Sequence, residues 1–411
     1  MAGAGMTTSA ERMRAWTGPA ILSFGFRPFF LLGAIWSALA MVIWVFMLAG
    51  HDVVSTGFDP ISWHAHEMLF GYLGAVMAGF LLTAVPNWTG RLPVTGWPLA
   101  GLAALWMLGR VAVAVSSALP QLPVALADLA FPLALVAFLT REIFTGRNWR
   151  NLPVLVLLVG WTLASAVYHW DAARGDFAAQ GVGLRFGVAT AVMLITLVGG
   201  RIVPSFTRNW LAQRGSARLP VPFAKGDGMV LALTLGTLVI WVIWPDRPET
   251  AVACGFAGFA NLWRLGRWRG WQTGAEALVW VLHVGYAFVP LGFLAIALGH
   301  IAPGSGPAVQ HVWMAGAVGL MTLAVMSRAS LGHAGRPLHA SRATVTLYLA
   351  LIASVLARFL AGLMPWETWL LELAAGAWIA AFGGFAVIYW PILVRPREAA
   401  RQPMQAPRAE N

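Results

Sequence analysis

One cysteine, Cys254, stands in 411 residues, and only 10% of the chain is charged. A single thiol excludes an intramolecular disulfide and any cysteine-ligated cluster. A metal, if held, must then be held by His, carboxylate or Met. The shortage of charge excludes an ordinary water-soluble globule, in which about a quarter of residues are charged. Acids are scarcer than bases, 16 against 27, for a net charge of +11. The basic residues are scattered through short loops, which suits anionic lipid headgroups and not nucleic acid. Residues 1–20 have no apolar core, so no cleavable signal is expected there.

What the chain has instead is apolar sequence: 59% of it is hydrophobic. The apolar runs match the ~20 residues needed to cross a bilayer. The expected fold is therefore all-α, a polytopic membrane protein with twelve transmembrane helices. The spans are expected near 28–50, 64–85, 97–118, 121–140, 152–170, 182–203, 228–245, 249–264, 275–299, 308–327, 343–363 and 368–391. Residues 1–27 and 392–411 are left as short polar tails. Arginine and lysine collect at one set of span ends, including Arg12, Arg91, Arg141, Arg150, Arg264, Arg342 and the stretch from Arg395. By the positive-inside rule this places both termini in the cytoplasm.

That orientation sorts the histidines. The stretch "SWHAHEMLFG", 62–71, opens span 2 from the outer side with His64, His66 and Glu67. His51, His169, His300 and His311 are expected at the same face, whereas His283, His333 and His339 lie toward the cytoplasm. Ionisable groups in membrane spans are costly and tend to mark function, and His is the commonest metal ligand. Residues two apart on a helix point ~200° from each other. His64 and His66 therefore cannot ligate one metal together from a regular helix. The expectation favours His66 as the ligand, opposite His311 of span 10. Glu67 is the candidate for passing protons, since a desolvated carboxyl binds its proton more tightly.

Arg110 and Asp128 lie at matching depths on spans 3 and 4, as do Arg358 and Glu372 on spans 11 and 12. Two inter-helix ion pairs are one reading. The other gives Arg110, Arg185 or Arg358 the carboxylates of a cofactor, for which the planar guanidinium fork is suited. His283 and His333 are expected to approach each other and make a second metal site. A faint repeat relates "AVPNWTGR" of span 2, "IVPSFTRN" of span 6 and "AVMSRASLG" of span 10. It suggests three four-helix units, with spans 2, 6 and 10 lining the centre.

The motifs "FGFRPFFLLG", "WHAHEMLFGY", "AGFLLTAVPNWTGR", "GGRIVPSFT", "LHVGYAFVPLGF" and "AVGLMTLAVMSRASLGHAGRP", in this order, resemble the NnrS family of bacterial membrane proteins. The resemblance implies twelve spans in the inner membrane, haem and copper, and a role in nitric oxide metabolism and nitrosative stress. On the residues that stand within matching motifs it carries over His64, His66, His283, His311 and His333. With haem implied, the expected arrangement is a haem b held by one of the span 2 histidines and by His311 of span 10, with Arg185 at its propionates. The architecture is also similar, more distantly, to haem–copper oxidases and nitric oxide reductases. Span 6, however, has no His and span 7 no His–His pair. Three functions stay open: an oxidoreductase that reduces nitric oxide with electrons from quinol or a protein donor, a non-catalytic haem or copper protein that senses, buffers or delivers, and a transporter.

Overall fold

The computed structural model describes residues 16–300 and 306–396. The expected tails therefore lie largely outside the described residues. Twelve long helices carry the fold, and no strand occurs among the described residues. They are α1 (Phe26–Leu48), α2 (Pro60–Thr89), α3 (Trp97–Ala114), α4 (Gln121–Thr145), α5 (Leu152–Ala173), α6 (Val182–Gln213), α7 (Lys225–Ile243), α8 (Pro248–Gly266), α9 (Ala277–Gly299), α10 (Gly306–His333), α11 (Arg342–Leu363) and α12 (Trp369–Val394).

Eleven of them are long and apolar enough to cross a membrane, by length and composition; α8 falls short. The reason is a divided surface. One face of α8 buries Asn261 and Arg264, while Val252, Phe256, Phe259 and Trp263 are exposed. Those four recur at helical spacing and form an apolar stripe. Averaging the two faces lowers the hydropathy of a helix whose outer face still suits lipid.

The three helices that carry the stretches of the faint repeat are the most buried of the bundle. In α2, 89% of the most apolar window is buried, and 72% in both α6 and α10, against 33% in α1, α3, α4 and α7. Gly187 of α6 lets Leu69 and Phe70 of α2 approach, and Gly199 of α6 meets Met321 of α10. Around this trio consecutive helices pack pairwise, and α12 packs on α1 to close the bundle. The ends of the bundle are referred to below by content: a histidine-rich face, where α1 ends and α2 begins, and an arginine-rich face opposite.

Local sequence explains how α2 enters. Asp59 caps it, its Oδ1 accepting from the Ile61 and Ser62 amides at 3.0 Å each, and Pro60 fills the first helical position. Gly90, at φ 71°, ends the helix in the left-handed region that favours glycine. Between these ends α2 is not uniform. Residues Glu67–Tyr72 form a π-helical stretch, and Val312–Leu320 of α10 form another. Both begin immediately after a histidine, His66 and His311. π turns inside α-helices often mark functional sites.

Candidate functional site

The two histidines of the opening motif face different neighbours, as the 200° separation requires. His64 stacks on Trp44 of α1, ring centroids 4.2 Å apart. His66 is fully buried on the other side, against Phe58, Tyr168 and His169.

His64 and His311 line one small cavity between α1, α2, α10, α11 and α12, about 70 Å³ in volume. Met41, Met68, Met314 and Trp378 give it an apolar wall, and Arg358 adds a charge. His311 donates from Nδ1 to the Pro307 carbonyl at 2.6 Å, which leaves Nε2 as the nitrogen with a lone pair. His64 Nδ1 is buried with no hydrogen-bond partner. Tyr72 reaches the cavity and is tied by its hydroxyl to Thr322 of α10.

His66 does not line this cavity; it belongs to a buried charge cluster. Its Nδ1 lies 3.0 Å from Glu67 Oε1, and its Nε2 3.2 Å from Asp128 Oδ2. His169 Nε2 lies 3.0 Å from the same Asp128 oxygen. Arg110 joins the acids, bonded to Glu67 Oε2 at 2.7 Å and to Asp128 Oδ1. Trp36 donates to Glu67 Oε2 at 2.7 Å. His66, Asp128 and His169 offer ligand atoms within 4.8 Å of one another, all buried, and can hold a metal ion.

The π stretch of α2 is built around this cluster. A Cβ on Gly71 would run into Arg110 and sit 2.8 Å from Glu67 Oε2, so only glycine lets the guanidinium through. The Gly71 carbonyl is satisfied by Trp106 Nε1 at 2.9 Å. Tyr168 bonds the Ser62 carbonyl at 2.7 Å and so fastens α5, with His169, to the start of α2.

Several expectations are corrected. His64, not His66, shares the cavity with His311. Glu67 is enclosed in the charge cluster and does not line the cavity, so it is not placed to pass protons there. Arg110 pairs with Asp128 as expected, but Arg358 does not pair with Glu372. Arg358 has no ion-pair partner among the described residues, and Glu372 sits on the exposed face of α12. Matched depth on neighbouring helices fixes height but leaves the direction around the axis open. Arg185 lies away from the cavity, donating to the Val242 carbonyl at 3.1 Å and the Gln180 carbonyl at 2.6 Å. His283 and His333 have different neighbours. His283 Nε2 bonds Thr207 of α6 at 2.7 Å, whereas His333 packs against Phe24 and Phe26.

Two groups were missed by sequence reasoning. Sequence reasoning gives His169 no role, although its place at the histidine-rich face is a usable signal. Arg264 reads from sequence as a span-end residue. It is buried, with Nε 3.2 Å from Asp227 and NH1 3.1 Å from the Tyr286 hydroxyl.

The fold and these two buried sites define an all-helical polytopic membrane protein with histidines arranged for ligation. Within that class the chain belongs to the NnrS family, whose model, described as NnrS protein, matches residues 20–397. No curated protein matches it.

Proposed function

We propose that the protein binds haem b in the His64–His311 cavity and acts in nitric oxide metabolism in the bacterial inner membrane, with both termini cytoplasmic. The observation that carries this reading is the convergence of two imidazoles and one arginine on a single apolar cavity. His311 is oriented by a backbone carbonyl and keeps Nε2 for a ligand. His64 is held by its stack on Trp44, and its Nδ1 has no protein partner. Arg358, with no ion-pair carboxylate among the described residues, suits the propionates of a macrocycle. The three methionines are adaptable side chains that can re-pack around a large planar group while excluding water. When bound there, haem iron supplies a centre for the diatomic ligand.

Of the two uses of such a centre, binding without turnover is the better supported. Reduction of nitric oxide needs protons as well as electrons from quinol or a protein donor. Glu67, the carboxyl nearest in sequence to the histidines, has both oxygens engaged elsewhere. Copper, which the family resemblance also implies, has no histidine pair to spare in the cavity itself. NnrS membership supports the connection to nitric oxide, and the arginine-rich face supports the orientation.

The test is the absorption spectrum of the purified protein, with and without nitric oxide. A Soret band that shifts with nitric oxide is expected. His64→Ala and His311→Ala should abolish or shift it, and His283→Ala should leave it unchanged. A wild-type protein without a Soret band, or unchanged spectra in both cavity variants, would end the haem reading.

A further inference from the structure

We propose that His66, Asp128 and His169 form a metal site for a divalent first-row transition ion, separate from the His64–His311 cavity and loaded from the histidine-rich face. The inference stands whether or not the cavity takes haem.

Tautomer geometry is the first argument. Glu67 Oε2 already accepts from Trp36 and Arg110, which marks this group as a carboxylate. Its Oε1, 3.0 Å from His66 Nδ1, is therefore an acceptor, and Nδ1–H donates to it. In the neutral imidazole this leaves the lone pair on Nε2, pointed into the cluster. A carboxylate holding the far nitrogen of a histidine is the arrangement that orients metal-ligating imidazoles. His66 Nε2 has no hydrogen-bond partner although it is fully buried. It faces Asp128 Oδ2, another acceptor, at 3.2 Å. Neutral imidazole and carboxylate so placed repel unless a metal ion, or a proton on Nε2, lies between them.

Asp128 is divided in the same sense. Oδ1 takes Arg110, while Oδ2 faces His66, His169 at 3.0 Å and the Ser165 hydroxyl at 3.4 Å. Metal–ligand bonds of about 2.0–2.1 Å in a tetrahedral site put the ligand atoms roughly 3.3 Å apart, close to the spacings found. The charge balance points the same way. With both imidazoles neutral, Glu67 and Asp128 bring two negative charges and Arg110 one positive, and a buried excess of charge inside a membrane is costly. Two imidazoles with one carboxylate suit zinc, copper, iron or nickel, and not magnesium or calcium.

Access is also present. A cleft of about 230 Å³, lined by Phe58, Ser116, Gln121 and Ala173 among others, ends on His169. It offers an ion a way in, and a solvent molecule a fourth ligand position. His66 and Asp128 do not line this cleft.

The experiment uses the full chain in detergent, loaded with Co(II), desalted, and read by cobalt content and visible absorption. Cobalt is counted so that haem iron does not interfere. About one ion per chain is expected, with an absorption band of a nitrogen–oxygen site. His169→Gln keeps a donor for Asp128 but loses the imidazole, and should retain at least tenfold less cobalt. Glu67→Gln, which disturbs the partner of His66 Nδ1, should weaken retention roughly 10- to 100-fold. His64→Ala and His311→Ala should keep the full equivalent. Wild-type chain that retains no cobalt overturns the proposal without reference to any variant. So does a full equivalent in His169→Gln, or loss of cobalt in His64→Ala and His311→Ala instead. A wild-type chain without cobalt would mean that a proton on His66, donating to both carboxylates, does the work assigned here to the ion.

Discussion

Replacing Arg110 tests how the charge cluster is held together. The side chain is only 3% exposed and bridges Glu67 and Asp128, which come from α2 and α4. In Arg110→Met the volume is roughly kept and the apolar stem still packs, so the loss is electrostatic. Two buried carboxylates are left without their cation. Breaking a buried pair on one side costs about 3–5 kcal/mol, whereas replacing all partners by neutral ones is often close to neutral. The single variant should therefore melt lower by roughly 5 °C, given about 1–2 °C per kcal/mol for a chain of this size. The triple variant Arg110→Met, Glu67→Gln, Asp128→Asn should recover most of that loss, because neither carboxylate remains to be neutralised. Melting in detergent with chelator present, followed by circular dichroism, reads both. The reasoning fails if the single variant melts with the wild type, or if the triple variant is as unstable as the three single losses added together.

Two further outcomes follow from packing. Gly183 lies against the backbone of α5, where an added Cβ would be 2.6 Å from Tyr168 Cα, whereas Gly236 faces open space. Gly183→Ala should lower stability by about 1–3 kcal/mol, and Gly236→Ala should be neutral or slightly stabilising, as read by melting temperature. Asp227 is shared by Arg264 and Arg267. Asp227→Asn leaves the buried Arg264 without a counter-charge and should destabilise by about 3–5 kcal/mol; an unchanged melting curve would show that its bonds to the Thr196 carbonyl and the Tyr286 hydroxyl suffice.

The helices were legible in the sequence because lipid-length apolar runs have few alternatives. Their lengths were legible only in part, and the errors have a pattern. The central helices α2, α6 and α10 were each expected at 20–22 residues and run to 30, 32 and 28. Hydropathy marks the apolar stretch of a helix, not its hydrogen-bonded extent. Helices surrounded by protein can carry polar residues past that stretch, as α6 does through Arg208 and Asn209 to Gln213. The Arg110–Asp128 pair was visible because the two helices are consecutive and the charges match in height. The Arg358–Glu372 pair failed on the same evidence, because an apolar helix gives no periodicity from which to read which way a residue points. His169 was hidden for a related reason: its partners stand on α2 and α4, and nothing local to "VYHWDA" names them.

The division of labour between His64 and His66 depends on the π stretch that follows them. A π turn bonds i to i+5 and so takes about one residue more than an α turn. One extra residue rotates what lies before it by roughly 100° against what lies after it. In α2 the residues after the stretch are fixed by the core: Leu73, Val76, Leu81 and Leu82 are buried at the centre of the bundle. The residues before it are fixed by Asp59, by the Tyr168–Ser62 bond and by the two histidine sites. An unbroken α-helix would have to satisfy both sets with one phase. The π stretch removes that constraint, and Gly71 within it opens the gap that Arg110 fills. The second π stretch, after His311, stands in the same relation to the cavity wall, with Met314, Ala315 and Val318 all drawn from it. The two helices that carry the histidines of the cavity are thus the two whose register is broken beside it. The third central helix, α6, brings no histidine and keeps a regular α-helix throughout.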